Sequence, residues 1–89
     1  MLEQIRIAAA EGLKLPRDVV LGEVLISFVG RCSVTIENYR GILIYDDKTI
    51  KLQARHCKLQ IYGRRLHIDY YNHDEMKITG QIQGMEFGD

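Results

Sequence analysis

The alternation of apolar and polar residues after Val19 is the feature that most restricts the fold of this chain. A period of two recurs at residues 33–37, 49–54, 58–62, 65–70 and 76–82. Such alternation is typical of half-buried antiparallel strands, with one face toward a core and the other toward water. The sequence therefore predicts an all-β domain.

Short breaks with turn-forming residues separate these runs. They fall at Gly30-Arg31, Arg40-Gly41, Asp46-Asp47-Lys48, Gly63-Arg64 and Asn72-His73-Asp74. Connections this short join antiparallel neighbours, because a parallel crossover needs about a dozen residues or more. We therefore expect an antiparallel meander of about seven or eight short strands, either sandwich-like or a curled sheet.

Two stretches, Val24–Val29 and Ile42–Tyr45, are apolar at every or nearly every position. This predicts central strands, or strands whose second face is covered by a helix or by another subunit. The final run, Gly80–Phe87, is a candidate edge for pairing with another chain, which would give a homo-oligomer.

The N-terminal segment has a different period. Leu2, Ile5, Ala9 and Leu13 are spaced by three and four residues, which places them on one stripe of a short helix, and Pro16 disfavours its continuation. We expect a single domain over residues 1–89, with an N-terminal α-helix at 2–13 and a β-sheet domain at 17–87.

Composition excludes several classes of function. Among 89 residues, twelve Lys and Arg balance twelve Asp and Glu, which argues against a general polyanion binder, so no nucleic-acid partner is expected. Cys32 and Cys57 form no CxxC pair, which favours reduced thiols in a cytosolic protein. No apolar run reaches the ~20 residues of a transmembrane segment, so any membrane association would require a partner.

The candidate chemical groups do not form a recognisable site. His56, Cys57, His67, His73 and Cys32 lack zinc-ligand spacing, and nothing indicates a cysteine hydrolase or a pair of catalytic carboxylates. We therefore expect no catalytic residues, no metal and no cofactor.

Two surfaces are candidates for binding. Lys51, Lys58 and Arg65 are predicted on the outward faces of three successive strands, where they would form either an anion-binding face for nucleic acid or anionic lipid, or a solvated, partner-facing surface. The second candidate is the turn containing Glu37, Asn38, Tyr39, Arg40 and Gly41. It is interpreted either as a recognition loop with Tyr39 at its tip or as a sequence that specifies a hairpin corner.

This turn also carries a family resemblance. Leu15–Val20, Phe28–Gly30 and Ile36–Leu43 resemble segments of the YabP/YqfC family of sporulation proteins, and the resemblance continues to Phe87. The segment Pro16-x-Asp18-Val19 is closer to the YqfC branch, and Tyr39 stands where many relatives have histidine.

The resemblance implies a non-enzymatic protein of endospore-forming bacteria, made in the mother-cell compartment during sporulation. It implies an assembly or partner-recruiting role in spore cortex or coat morphogenesis, often together with a membrane-protein partner. The expected location is the mother-cell cytoplasm, peripheral to the forespore membrane through that partner. The family brings no catalytic residues.

Overall fold

Six antiparallel strands form the described part of the chain, residues 22–89, in the computed structural model. They are β1 (Leu25–Val29), β2 (Ser33–Glu37), β3 (Gly41–Tyr45), β4 (Thr49–Gln53), β5 (Lys58–Tyr71) and β6 (Glu75–Gly88). The predicted all-β antiparallel class is confirmed, whereas the helix predicted at 2–13 lies outside the described residues. None of residues 22–89 belongs to a helix that could cross a bilayer.

The strands are fewer than predicted because β5 and β6 are each 14 residues long and bend in the middle. Gly63-Arg64, predicted as a turn, lies within β5 at a shift in the β5–β6 register. A Cβ atom at Gly63 would overlap the carbonyl oxygen of Gln81 in β6, so only glycine fits this close approach. The residue next to the bend, Arg65, has a left-handed φ of 54°.

The sheet order is β1-β2-β6-β5-β4-β3, so the predicted simple meander is wrong at one connection. β2 and β3 lie four places apart, about 19 Å in a flat sheet, whereas the chain from Glu37 to Gly41 reaches at most roughly 14 Å. The sheet must therefore curl, and the bends in β5 and β6 allow it. One layer holds β1, β2, residues 75–79 and residues 67–71; the other holds β3, β4, residues 58–62 and residues 84–88.

The core lies between these layers and follows the predicted alternation. Its buried residues are Val34, Ile36, Tyr39, Ile50, Leu52, Ala54, Leu59, Ile61, Leu66, Met76, Ile78 and Ile82. Opposite residues on paired strands share a face, as Ile36 and Met76 do, and both are fully buried. Among residues 22–89 no polar or charged side chain is buried.

Two hairpin turns fix the bends in an equivalent way. The N–H groups of Gly63 and Leu66 donate to the carbonyls of Lys48 and Asp47, at 3.0 and 2.8 Å. On the other hairpin, the carbonyls of Cys32 and Arg31 accept from Gly80 and Ile82, at 3.1 and 2.8 Å. Backbone hydrogen bonds to each hairpin turn thus continue the strand pairing around one bend of the long strands.

The apolar strands β1 and β3 are the edges of the sheet order, so the first alternative predicted for them, a central position, is wrong. β1 and β3 each pair on one side only, and most of their large side chains are exposed, from 38% at Ile42 to 66% at Val29. Their second face is therefore uncovered by residues 22–89. The continuous apolar sequence predicts that these strands are apolar on both faces, but it does not predict which strands lie beside them.

Candidate functional site

The crossover segment, residues 37–41, connects the end of β2 to the start of β3. It is not the hairpin corner predicted from the sequence, since the strands that it joins are not neighbours. It spans one end of the curled sheet, beside the turn between β5 and β6. Its conformation therefore determines how the two layers face each other.

Asn38 anchors the crossover segment through its backbone and its side chain. Its φ is 67°, a left-handed value that asparagine tolerates better than most residues. Its N–H donates to the carbonyl of Asp74 at 2.7 Å, and its Nδ2 donates to the carbonyl of Glu23 at 2.8 Å. The fold itself thus explains why asparagine stands here.

Tyr39 is a core residue rather than the exposed tip that the sequence suggested. Its side chain is only 8% exposed, and its hydroxyl donates to the carbonyl of Asn72 at 2.5 Å. Burial raises the pKa of Tyr39 above its usual value, and negative charge on Tyr71 and Asp74 adds to the effect. The ring therefore closes this end of the core.

We expect Tyr39→Phe to lower the free energy of unfolding by about 1 kcal/mol at neutral pH, because one hydrogen bond is lost. In the wild type, the raised pKa of Tyr39 means that the folded state holds the phenolic proton more tightly than the unfolded chain. The stability that Tyr39 contributes is therefore complete below about pH 9 and is lost as the pH rises past about 10.

Urea denaturation at pH values between 7 and 11 measures both effects. Above about pH 9, the free energy of unfolding should fall less in Tyr39→Phe than in the wild type. Tyr70→Phe is the comparison, because it also removes a tyrosine with a raised pKa, but from an exposed position. There the main cause of the raised pKa is a hydrogen bond to Glu75 and not burial. An alkaline loss of the same size in wild type and Tyr39→Phe would contradict the assignment.

Arg40 and Gly41 differ from Asn38 and Tyr39, because no contact among the described residues requires an arginine or a glycine at these positions. The Arg40 N–H donates to the carbonyl of Gln53 at 2.6 Å, a bond that any residue except proline makes. Within residues 22–89 its exposed guanidinium has no hydrogen bond or ion pair. Gly41 has no positive φ, and a Cβ atom there would meet nothing within 4 Å.

The surface around Arg40 holds residues that sequence reasoning did not connect with it. Two adjoining concavities share Tyr39, Arg40 and His73; one extends to Tyr71 and the other to Gly22. Asn72-His73-Asp74 was predicted only as a turn, and that prediction is confirmed. This turn lies near the crossover segment because of the strand order, which brings together residues that are distant in sequence. No local sequence pattern predicts that order.

Comparison with known proteins decides the family. The model of the YabP family matches residues 22–89, which is the whole described domain. The chain belongs to the YabP family. It is also 28% identical over 75 residues to the uncharacterized protein YqfC of Bacillus subtilis (strain 168), covering 84% of this chain and 81% of that protein. No solved structure matches significantly.

The predicted YabP/YqfC membership is thereby confirmed. The family match begins at Gly22, so it includes the crossover segment and does not include the segment from Pro16 to Val19.

The three basic residues predicted on one face of this YabP-family protein do not all come together. Lys51 and Lys58 lie on adjacent strands and line one concavity, with Glu86 and Asp89 beside them. Arg65 lies on the same strand as Lys58, at the bend, because Gly63-Arg64 is not a turn. Two cations and two acids make a mixed surface, which does not favour an anionic ligand.

The remaining candidate groups are dispersed. Cys32 is exposed in the β1–β2 turn, and Cys57 is half-buried just before β5; neither forms a disulfide. Within residues 22–89, no three histidine, cysteine or acidic side chains are grouped as a metal site would require.

Proposed function

We propose that this YabP-family protein is a non-enzymatic assembly factor of spore formation that recruits a protein partner through Arg40 and Gly41. The observation that carries the proposal is the division within the crossover segment. Asn38 and Tyr39 are explained by hydrogen bonds and burial, whereas Arg40 and Gly41 serve no structural need among the described residues.

The chemistry of these two residues fits protein recognition. An exposed arginine offers five donors in a rigid fork that pairs with a carboxylate or stacks on an aromatic ring. Glycine at the start of an edge strand lets another chain approach the backbone closely. Neither residue is a nucleophile or a general base, so the segment supports binding rather than catalysis.

The biological setting comes from the family resemblance. Sporulation, the mother-cell compartment and cortex or coat morphogenesis are all implied by likeness to YabP/YqfC proteins. A membrane-protein partner would place this chain at the periphery of the forespore membrane. Self-association is the other form that a partner contact could take, since β3 presents an unpaired edge directly after Gly41.

The test is a quantitative pulldown from sporulating cells with the tagged full chain and its Arg40→Ala, Gly41→Val variant. We expect a loss of roughly tenfold or more in at least one captured protein, because an anchoring arginine typically contributes about 2 kcal/mol to binding. Thermal unfolding should be nearly unchanged, since neither side chain position is packed.

The matched control is Arg64→Ala, which removes another exposed arginine at the opposite end of the domain. Equal recovery of every captured protein by wild type and the Arg40→Ala, Gly41→Val variant would refute the proposal. The same loss in Arg64→Ala would also refute it, by showing a general effect of charge. Tyr39→Ala is not a useful probe, because truncating a buried ring would destabilise the domain.

A further inference from the structure

The edge strand β3 has an apolar side that no charge protects. It pairs with β4 alone, so one of its two rows of backbone N–H and C=O groups has no strand partner among residues 22–89. Natural proteins commonly protect such an edge with a charged side chain or a proline. β3 instead carries four consecutive large apolar side chains, each at least 38% exposed: Ile42, Leu43, Ile44 and Tyr45. The strand is therefore open to pairing with another chain.

A bulge in β3 gives these side chains a symmetrical order of faces. Ile42 and Tyr45 each lie opposite a fully buried residue of β4, so both face the core side. The register shifts between Ile42 and Ile44, and Ile44 lies opposite Lys51 on the outer side. Leu43 is the extra residue of the bulge and shares that outer position. From the first to the last of the four residues, the faces are therefore core, outer, outer and core.

This order is the same in both directions along the strand, so β3 matches a second copy of itself. A two-fold axis perpendicular to the sheet makes the two strands antiparallel and puts equivalent faces on the same side. With the axis between Leu43 and Ile44, Ile42 lies opposite Tyr45 of the second copy on the core side, and Leu43 lies opposite Ile44 of the second copy on the outer side. A slip of one residue in either direction would put core-side residues opposite outer-side residues.

The same register brings opposite charges together at both ends of the paired strands. Arg40 lies opposite Asp47 of the second copy, and the two-fold axis repeats this pair. Both side chains are exposed, and within residues 22–89 neither makes a hydrogen bond or an ion pair. The neighbouring Asp46 differs, since its carboxylate accepts hydrogen bonds from the N–H groups of Lys48 and Thr49. Pairing of two copies thus gives a partner to two charged groups that the described domain does not use.

The other edge strand, β1, does not offer equivalent charges. The nearest charged residues on its two sides are Glu23 and Arg31, and both already have contacts within the domain. Glu23 lies 3.6 Å from Nε2 of His56, and Nε of Arg31 donates to the carbonyl of Ile82 at 3.4 Å. Charge complementarity therefore favours β3 over β1 as the edge at which two copies meet.

We propose that β3 pairs with β3 of a second copy, antiparallel and two-fold symmetric, to form a homodimer. This inference rests on the proposed function, because it names a second copy as one partner of the site at Arg40 and Gly41. Main-chain hydrogen bonds between the strands and burial of their apolar side chains supply the affinity. Gly41 lies opposite Asp46 of the second copy, so no side chain there obstructs the approach of the other chain.

The test is sedimentation velocity on the purified full chain, under reducing conditions that prevent the exposed Cys32 from linking copies. We expect the wild type to shift from monomer to dimer within the micromolar range. Arg40→Asp and Asp47→Arg each replace both symmetric ion pairs by like charges, so each should weaken the dimer roughly tenfold or more. An equimolar mixture of these two variants restores opposite charges at both ends, so it should associate about as tightly as the wild type.

A second pair of variants tests the strand edge itself. Leu43→Lys puts a charge opposite Ile44 of the second copy and should weaken the dimer roughly tenfold. Val29→Lys, at an exposed position of β1, is the matched control and should leave the dimer unchanged. Both changes are at exposed positions, so circular dichroism should show the same strand content as in the wild type.

Four results would overturn the proposal. They are a wild type that stays monomeric across the micromolar range, charge variants that associate like the wild type, a mixture that associates no better than its components, and equal weakening by Val29→Lys. All come from purified protein, whereas the pulldown scores other proteins captured from sporulating cells. A monomeric wild type whose Arg40→Ala, Gly41→Val variant still loses a captured protein would overturn the homodimer and support the proposed function.

Discussion

Gly63→Ala should lower the free energy of unfolding by about 3 kcal/mol or more, one of the two largest losses that we expect. A methyl group at this position would overlap the carbonyl oxygen of Gln81, which is backbone and cannot rotate away. Relief would require β5 and β6 to separate at their bend, where the N–H of Gly63 also donates to Lys48. Urea denaturation followed by circular dichroism measures the loss.

Gly88→Ala is the matched control for this prediction. Gly88 also lies in a long strand, but a Cβ atom there would meet nothing within 4 Å. We expect its unfolding midpoint to stay close to that of the wild type, within about 0.5 kcal/mol. If Gly63→Ala were as stable as Gly88→Ala, the close approach of β5 and β6 at the bend would be wrong.

Ile50→Ala should lower the free energy of unfolding by about 2 to 5 kcal/mol. Ile50 lies on β4, is fully buried and faces the other layer of the curled sheet. Removing its side chain leaves a cavity between two layers that are held by many strands and cannot collapse freely. The same denaturation experiment measures the effect.

Ile44→Ala is the comparison, since it makes the identical substitution on the neighbouring strand. Ile44 pairs with Lys51 and is 44% exposed, so its loss should cost well under 1 kcal/mol. Similar costs at Ile44 and Ile50 would show that β3 is covered on both faces, as the sequence originally suggested, and not an open edge.

Local pattern was sufficient for the strands and for most of the core. Alternation at 33–37, 49–54 and 76–82 placed Ile36, Leu52 and Ile78 on the buried face, because a strand exposes every second residue whatever its partner is. The turns at 30–31, 46–48 and 72–74 were also predicted correctly, since they use residues that bend the chain locally.

Features that depend on contacts between residues distant in sequence could not be predicted from local pattern. Gly63-Arg64 has the composition of a turn, but its glycine serves a close approach to Gln81, which lies 18 positions further along the chain. Within the crossover segment, Asn38 has a left-handed backbone, which asparagine tolerates better than most residues. The burial of Tyr39 was missed because it depends on Asn72, which only the strand order brings near.

The pairing of β2 with β6 has a consequence for how the chain acquires its structure. Ser33 lies opposite Thr79, so one side of β2 has no partner until nearly the whole chain is available. Contacts so distant in sequence close slowly, because the entropy of a long loop is lost before they form. During synthesis we therefore expect the side of β2 that pairs with β6 to remain without its partner until the last strand emerges, which keeps apolar surface at Val34 and Ile36 exposed for longer.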